Sequence, residues 1–513
     1  MAKSPEINKE DSYIYIFLLL FAFITCYFNT LNSPLYFFNE WCDPHIYFSI
    51  GKGIFNGKVP YKDLFDHKGP LIYFIYGIGY LISNASLAGI YILQSCFWFV
   101  NLLFAYKIAR LFLDKPYSFI IALLYSVLLH TRSESGGSAD EFIAPAITVS
   151  FYYFLLYFQE GLDQKGSKKI MLIQGLTFAF TFLIKFSVCL FWIPPMIAIL
   201  YQLIVEKKYP LIILYIKYFT LGFAALFLPF LIYFIINGAI SDSIYAYFTF
   251  NSMYADTTFN VDVVLNIIAR FYRMIKWYYI AFPLIILGVA ILLLDNKYIK
   301  KWSYRIAILI SFILIYLPVA NSRDHHLYGY MILYFFAIVS LVYIFSLLNK
   351  YVKREKPIYT YLVYICAFIG ILIFDIDYKG LFKSEPHAPF CKENCSFGQK
   401  NFADIINQED NPTLLDLGLD KGIYTAANIV PSYLYFFHPA IREEKYPSIR
   451  KYQFKLVENS DPMFIVSALK EFPYLEANYD LISSYKEKEY PHAEIYLFKR
   501  KNHINETVNT TSE

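Results

Sequence analysis

Residues 39–70 read NEWCDPHIYFSIGKGIFNGKVPYKDLFDHKGP, a polar island in an apolar chain. Asp43, Asp63, Asp66, His67 and Lys68 fall within 26 residues of it. The run before it, 13–31, is mostly apolar. A membrane-crossing helix needs ~20 such residues. This run is too long for a signal-peptide core and lacks a small-residue cleavage site, so it reads as a retained span. Ten more runs follow, at 87–113, 116–131, 142–159, 170–186, 188–205, 211–236, 277–294, 305–320, 328–348 and 357–375. The run 71–83 is shorter and reads as an interfacial helix. Composition agrees: 57% of the 513 residues are hydrophobic and 17% charged, where soluble chains carry about 25% charged. That excludes an ordinary soluble enzyme and a disordered chain. The net charge of +4 sits in short clusters between apolar runs, which gives no footprint for nucleic acid.

Charge sets the expected orientation. With the N-terminus cytoplasmic, the inner segments hold 18 Lys and Arg in short loops, against 9 in the longer outer ones. Positive charge is retained inside, so the C-terminus is expected outside, in keeping with about 11 spans. The outer loops 32–69 and 237–276 are long. Beyond 375 the chain turns polar. Strand-like runs at Thr413–Leu417, Met463–Val466 and Glu494–Phe498, with a helical pattern around Ser467–Phe472, predict a small extracytoplasmic α/β domain over 376–513, ending in a frayed tail. The expected architecture is an α-helical polytopic membrane domain, 1–375, carrying this second domain. Cys391 and Cys395 lie outside in CKENC, where an oxidising compartment would allow a local disulfide.

Within the first loop, residues 44–55 are expected to form a short helix. Asp43 before Pro44 suits an N-cap with proline at the first helical position. The same carboxylate is the candidate general base. The two roles are compatible, because a carboxylate has two oxygens.

Asp43, Tyr47, Gly51, Gly57, Pro60-Tyr61 and Asp63, followed by Lys68-Gly69-Pro70-Leu71, form a pattern. It resembles the first external loop of GT-C glycosyltransferases, most closely the bacterial relatives of protein mannosyltransferases and the lipid A aminoarabinose transferase. The resemblance implies a polyprenyl-phosphate sugar donor and a lipid, glycan or protein acceptor. It also implies inverting transfer outside the cytoplasm, with Asp43 taking the acceptor proton. It gives Tyr47, Tyr61, Asp63 and Asp66 a loop-shaping role and lets Lys68 meet the carrier phosphate. In the second outer loop, Asp140 and Glu141 favour a helix N-terminus and form a second acidic site. No cofactor is required, and a divalent metal is left open.

Lys185 lies in the apolar run FTFLIKFSVCLFW. A charge there is expensive, so it either snorkels to the interface or faces the donor phosphate. Arg323, His325, His326 and Tyr328 in NSRDHHLYGY are candidates for phosphate or sugar contact. Arg270, Arg273 and Lys276 follow an amphipathic segment and read as a solvated or lipid-headgroup face. Other readings of the whole chain are a glycolipid transporter and a non-catalytic envelope assembly protein. Against the transporter, the polar residues gather on one side of the membrane rather than at mid-bilayer.

Overall fold

The structure is a computed structural model. It describes residues 9–130, 136–160, 164–254, 261–277, 280–322, 327–349, 357–378, 397–441, 443–486 and 494–501. Each of the 11 apolar runs holds a helix. The first nine helices are α1 Lys9–Asn29, α2 Cys42–Phe55, α3 Pro70–Ile82, α4 Ala88–Arg110, α5 Lys115–His130, α6 Ala139–Glu160, α7 Gln164–Phe182, α8 Ile193–Val205 and α9 Tyr209–Ile236. Helices Val261–Trp277, Ala281–Leu294, Trp302–Ala320, Phe335–Asn349 and Pro357–Tyr378 follow.

Among the described residues, six segments are long and apolar enough to cross a bilayer alone. Length and apolarity within the described residues therefore do not by themselves set the number of spans at the expected 11. Helix α5, with 16 residues, extends about 24 Å at 1.5 Å per residue, short of the ~30 Å hydrocarbon core. Helices Val261–Trp277 and Ala281–Leu294 meet at 109°. The runs 170–186 and 188–205 do divide into two elements. The break falls at residues 183–185, followed by a 3₁₀ turn at Phe186–Phe191.

The helix expected at 44–55 forms as α2 and that at 71–83 as α3. Their backbones touch: a Cβ on Gly51 would lie 2.5 Å from the Gly77 nitrogen. Glycine at both positions permits this approach, and it ties the helix carrying Asp43 to α3.

The C-terminal region builds a four-stranded sheet, ordered β1-β2-β4-β3. The strands are β1 Leu414–Asp416, β2 Phe464–Ser467, β3 Tyr479–Lys486 and β4 Glu494–Arg500. β1 and β2 are parallel; the other pairs are antiparallel. All three expected strands appear, and β3 was missed because most of its residues are exposed and polar. The helix expected around Ser467–Phe472 does not form. Ser467 Oγ instead accepts the Leu469 N–H at 2.9 Å in a turn, and the helical segment lies upstream at Pro447–Glu458.

This region rests on the first loop. Ser49 Oγ donates to Asp420 (3.4 Å), Lys52 Nζ to Asn428 (2.6 Å), and His45 Nδ1 lies 2.8 Å from Thr425 Oγ1. The Phe65 N–H donates to the Leu434 carbonyl at 2.9 Å.

Candidate active site

Asp43 is not the N-cap. Helix α2 starts at Cys42, two residues before the expected Pro44, and its cap is Trp41, whose side chain makes no capping bond. The chain is steered into the helix by Asn39, whose Oδ1 accepts the Trp41 N–H at 2.9 Å. Asp43 therefore sits in the first turn, where the helix dipole favours negative charge. Its Oδ2 accepts from Tyr47 Oη at 3.2 Å, one turn along α2. It also accepts from Tyr328 Oη at 3.4 Å, from the 3₁₀ segment Leu327–Leu333. These are long bonds, and an ionised carboxylate offers about four acceptor sites. Asp43 keeps capacity for a proton.

Tyr47 joins Asp43 to two other acids. Its ring packs 6.1 Å from Tyr73 and 5.4 Å from Tyr76. Tyr73 Oη donates to Asp66 at 2.8 Å, and Asp66 pairs with His67 at 3.1 Å. Burial works to raise the Asp66 carboxyl, but the charges and hydrogen bonds of His67, with Lys68 beyond, win and hold it well below the usual range. Lys68 Nζ lies 3.1 Å from His67 Nε2. The Lys68 carbonyl accepts from Tyr61 Oη at 2.6 Å, with Tyr61 at φ 70°. Asp63 Oδ2 accepts the Val59 N–H at 2.7 Å, closing the turn.

The second acidic site divides into two roles. Glu141 is fully engaged. Its Oε1 accepts from Gln94 Nε2 at 2.6 Å and from Trp98 Nε1, and its Oε2 accepts the Gly137 N–H at 2.6 Å. It fixes α4 against the start of α6, and Tyr76 Oη adds a bond to the Gly137 carbonyl at 2.5 Å. Asp140 turns the other way, to Lys185, whose Nζ lies 2.9 and 3.0 Å from its two oxygens. Asp140 is 2% exposed and Lys185 33%. The lysine is thus neither lone nor mid-helix. It occupies the break after α7, with an ion-pair partner and a third of its surface free.

Lys68 and Asp420 also come near. Burial pushes the Cys42 thiol up to about 12, with Asp43 and Asp420 adding to the effect and Lys68 opposing it. Asp43 and Lys68 are joined through Tyr47 and Tyr73, and the C-terminal region meets the same helix α2 at Ser49. Arg323, His325 and His326 lie outside the described residues. Among the described residues no three metal-ligating side chains gather. Sequence reasoning missed Tyr73, Tyr76, Gln94 and Trp98. Tyr73 and Tyr76, three apart on the short run 71–83, were the visible signal, since helical residues at that spacing share a face.

Residues 67–233 match the family described as dolichyl-phosphate-mannose-protein mannosyltransferase. The fold matches the crystal structure of ArnT from Cupriavidus metallidurans bound to undecaprenyl phosphate. The TM-score is 0.58 at 10% identity, over 96% of this chain and 98% of that one. The chain has the GT-C fold. The apo form of that ArnT gives a TM-score of 0.57 at 12% identity over the same shares. The GT-C likeness extends to the archaeal oligosaccharyltransferase AglB from Archaeoglobus fulgidus, solved with an inhibitory peptide and a dolichol-phosphate. There the TM-score is 0.50 at 12% identity, over 90% of this chain and 70% of that one. No curated protein matches by sequence. The GT-C resemblance read from the first loop is borne out, and the matched family segment carries it on from residue 67 through α9.

Proposed function

We propose that this chain is a membrane glycosyltransferase that moves a sugar from a polyprenyl-phosphate donor to an acceptor outside the cytoplasm. The observation that carries the proposal is the Asp43 carboxylate, free of capping duty and held at one oxygen by Tyr47 and Tyr328. Its other oxygen, touched among the described residues only by the Cys42 thiol at 4.0 Å, takes the proton of the acceptor hydroxyl or amine. The acceptor oxygen or nitrogen bonds to the anomeric carbon as the carbon–oxygen bond to the carrier phosphate breaks. The electron pair leaves with the phosphate, and the anomeric centre inverts. Lys185 and Lys68 stabilise the departing phosphate as point charges. Arg323, His325 and His326 remain candidates for the same task.

The family matched over 67–233 is named for a lipid-phosphate mannose donor. The structural relatives hold undecaprenyl phosphate in one case and dolichol-phosphate with a peptide in the other. These support a lipid-linked donor and a lipid, glycan or protein acceptor. The lysine and arginine bias supports an N-terminus inside and residues 376–513 outside, as a domain over the active-site face. The transporter reading would also explain a buried Lys185 and a polar external loop, but Lys185 is a third exposed and paired with Asp140 at the break after α7.

The test is consumption of a synthetic polyprenyl-phosphate sugar by purified protein in lipid nanodiscs. An enzyme releases polyprenyl phosphate and transfers or hydrolyses the sugar; a transporter or assembly protein returns the donor intact.

A further inference from the structure

Four buried hydrogen bonds run in series from the start of α2 to the second outer loop. The Trp41 N–H donates to Asn39 Oδ1 at 2.9 Å, and Asn39 Nδ2 donates to Asn32 Oδ1 at 2.8 Å. Asn32 Nδ2 donates to Gln94 Oε1 at 3.2 Å, and Gln94 Nε2 to Glu141 Oε1 at 2.6 Å. Asn32, Asn39, Gln94 and Glu141 are each at most 4% exposed. Every donor points toward Glu141, and both ends demand that direction. A backbone N–H can only donate, and the Glu141 carboxylate accepts, also from Trp98 Nε1 and the Gly137 N–H. No amide of the three can turn over alone without setting oxygen against oxygen or N–H against N–H. Buried polar groups cost free energy unless bonded; once all are bonded, they specify one arrangement.

The two ends of this chain are the two halves of the candidate site. Asn39 sets where α2 begins, four residues before Asp43. Glu141 follows Asp140 in the first turn of α6, and successive helical residues project about 100° apart. Holding Glu141 against α4 therefore sets the rotation that turns Asp140 to Lys185. The loop leading into α6 is pressed onto α2. A Cβ on Gly137, at φ 92°, would stand 2.7 Å from Asn32 Nδ2 and 3.3 Å from Pro44 Cγ.

We propose that Asn39, Asn32, Gln94 and Glu141 are positioning residues. Their one-way relay of amides sets Asp43 against the Asp140–Lys185 pair, so that base and phosphate-binding cation keep one spacing. This rests on the proposed roles of Asp43 and Lys185.

The test compares Asn39→Asp, Glu141→Gln and the double variant with the parent in nanodiscs, by turnover of a polyprenyl-phosphate sugar and by thermal midpoint. Asn39→Asp alone sets a carboxylate oxygen against Asn32 Oδ1. Glu141→Gln alone sets an amide N–H against one of the three donors. Each should lower kcat by up to ~10²-fold, as misplacement of a reacting group does. In the double variant the remaining amides can turn over together. The new amide at 141 donates to Gln94, Gln94 to Asn32, and Asn32 to the carboxylate at 39, which still accepts the Trp41 N–H. Turnover should then exceed that of either single variant. Positions 39 and 141 lie three hydrogen bonds apart, so independent roles would make the two losses multiply, and multiplied losses overturn the relay. Parent-like kcat in both single variants, with only the midpoint lowered, overturns the positioning role. Asn39→Ala adds no charge and covers the case in which Asn39→Asp does not fold. Its kcat should fall with donor KM little changed, and Glu141→Gln should not rescue it, since no carboxylate stands at 39; rescue would overturn the directional relay. A parent that returns the donor intact overturns the proposed function, and coupling of 39 with 141 in the thermal midpoint then still decides the relay.

Discussion

Lys185 and Asp140 are 45 residues apart in sequence and bonded at 2.9 Å, a pairing that no local pattern carries. Lys185→Met alone leaves the buried Asp140 carboxylate without its cation. Its stability cost should fall below the ~3–5 kcal/mol typical of breaking a fully buried pair, because a third of the lysine still reaches solvent. Adding Asp140→Asn should recover most of the thermal midpoint, since the buried charge goes with its partner. Donor KM should stay raised in the double variant, because the phosphate still lacks its lysine. A double variant with normal KM would return Lys185 to a purely structural role. Other residues were legible in part. Asp43 at the start of a loop helix could be read from Asp-Pro after a polar turn. Its register could not, because Asn39 and Trp41 move the start two residues back. Glu141 read as an acid at a helix start, yet its partners Gln94 and Trp98 come from a different helix.

At the scale of elements, each apolar run holds a helix, whereas α2 and Val261–Trp277 form in the loops between runs. Run length does not by itself set the number of spans: among the described residues six helices are long and apolar enough to cross alone. The pairing of α2 with α3 depends on Gly51 and Gly77, whose meaning appears only once both helices are placed. A methyl group at 51 would stand 2.5 Å from one backbone atom and 2.7 Å from another, and neither can move as a side-chain tip can. Gly51→Ala should therefore destabilise by about 1–3 kcal/mol despite alanine's better helix propensity. It should also lower turnover by shifting α2, and with it Asp43, against α3. Thermal unfolding together with donor turnover checks this. A stabilised variant with full activity would mean the two helices do not touch there.

Across the whole molecule, the C-terminal sheet meets the first loop through contacts some 370 residues apart, which explains why its placement was not legible. Two acids lie buried at this junction. Burial, reinforced by the charge of Asp420, pushes Asp416 up to about 8, and burial pushes Asp420 up to about 6 against the N–H groups of Gly422 and Ile423. Both folded values lie above the ordinary carboxylate value of 3.8, so the folded state favours the protonated forms. Their contribution to stability is greatest near pH 4 and is lost progressively as pH rises toward 8. The thermal midpoint should fall across that window, and Asp416→Asn should flatten the slope; a midpoint that rises with pH would contradict the sign. The most direct test of the central claim, transfer by Asp43, is turnover of a polyprenyl-phosphate sugar by Asp43→Asn in nanodiscs, with donor binding measured in parallel. Asn can still accept from Tyr47 and Tyr328 and has no capping bond to lose, so folding and donor binding should persist. Turnover should fall by at least ~10²–10⁴-fold, the usual contribution of a general base. Turnover within a few-fold of the parent would contradict the account and move the base to another carboxylate.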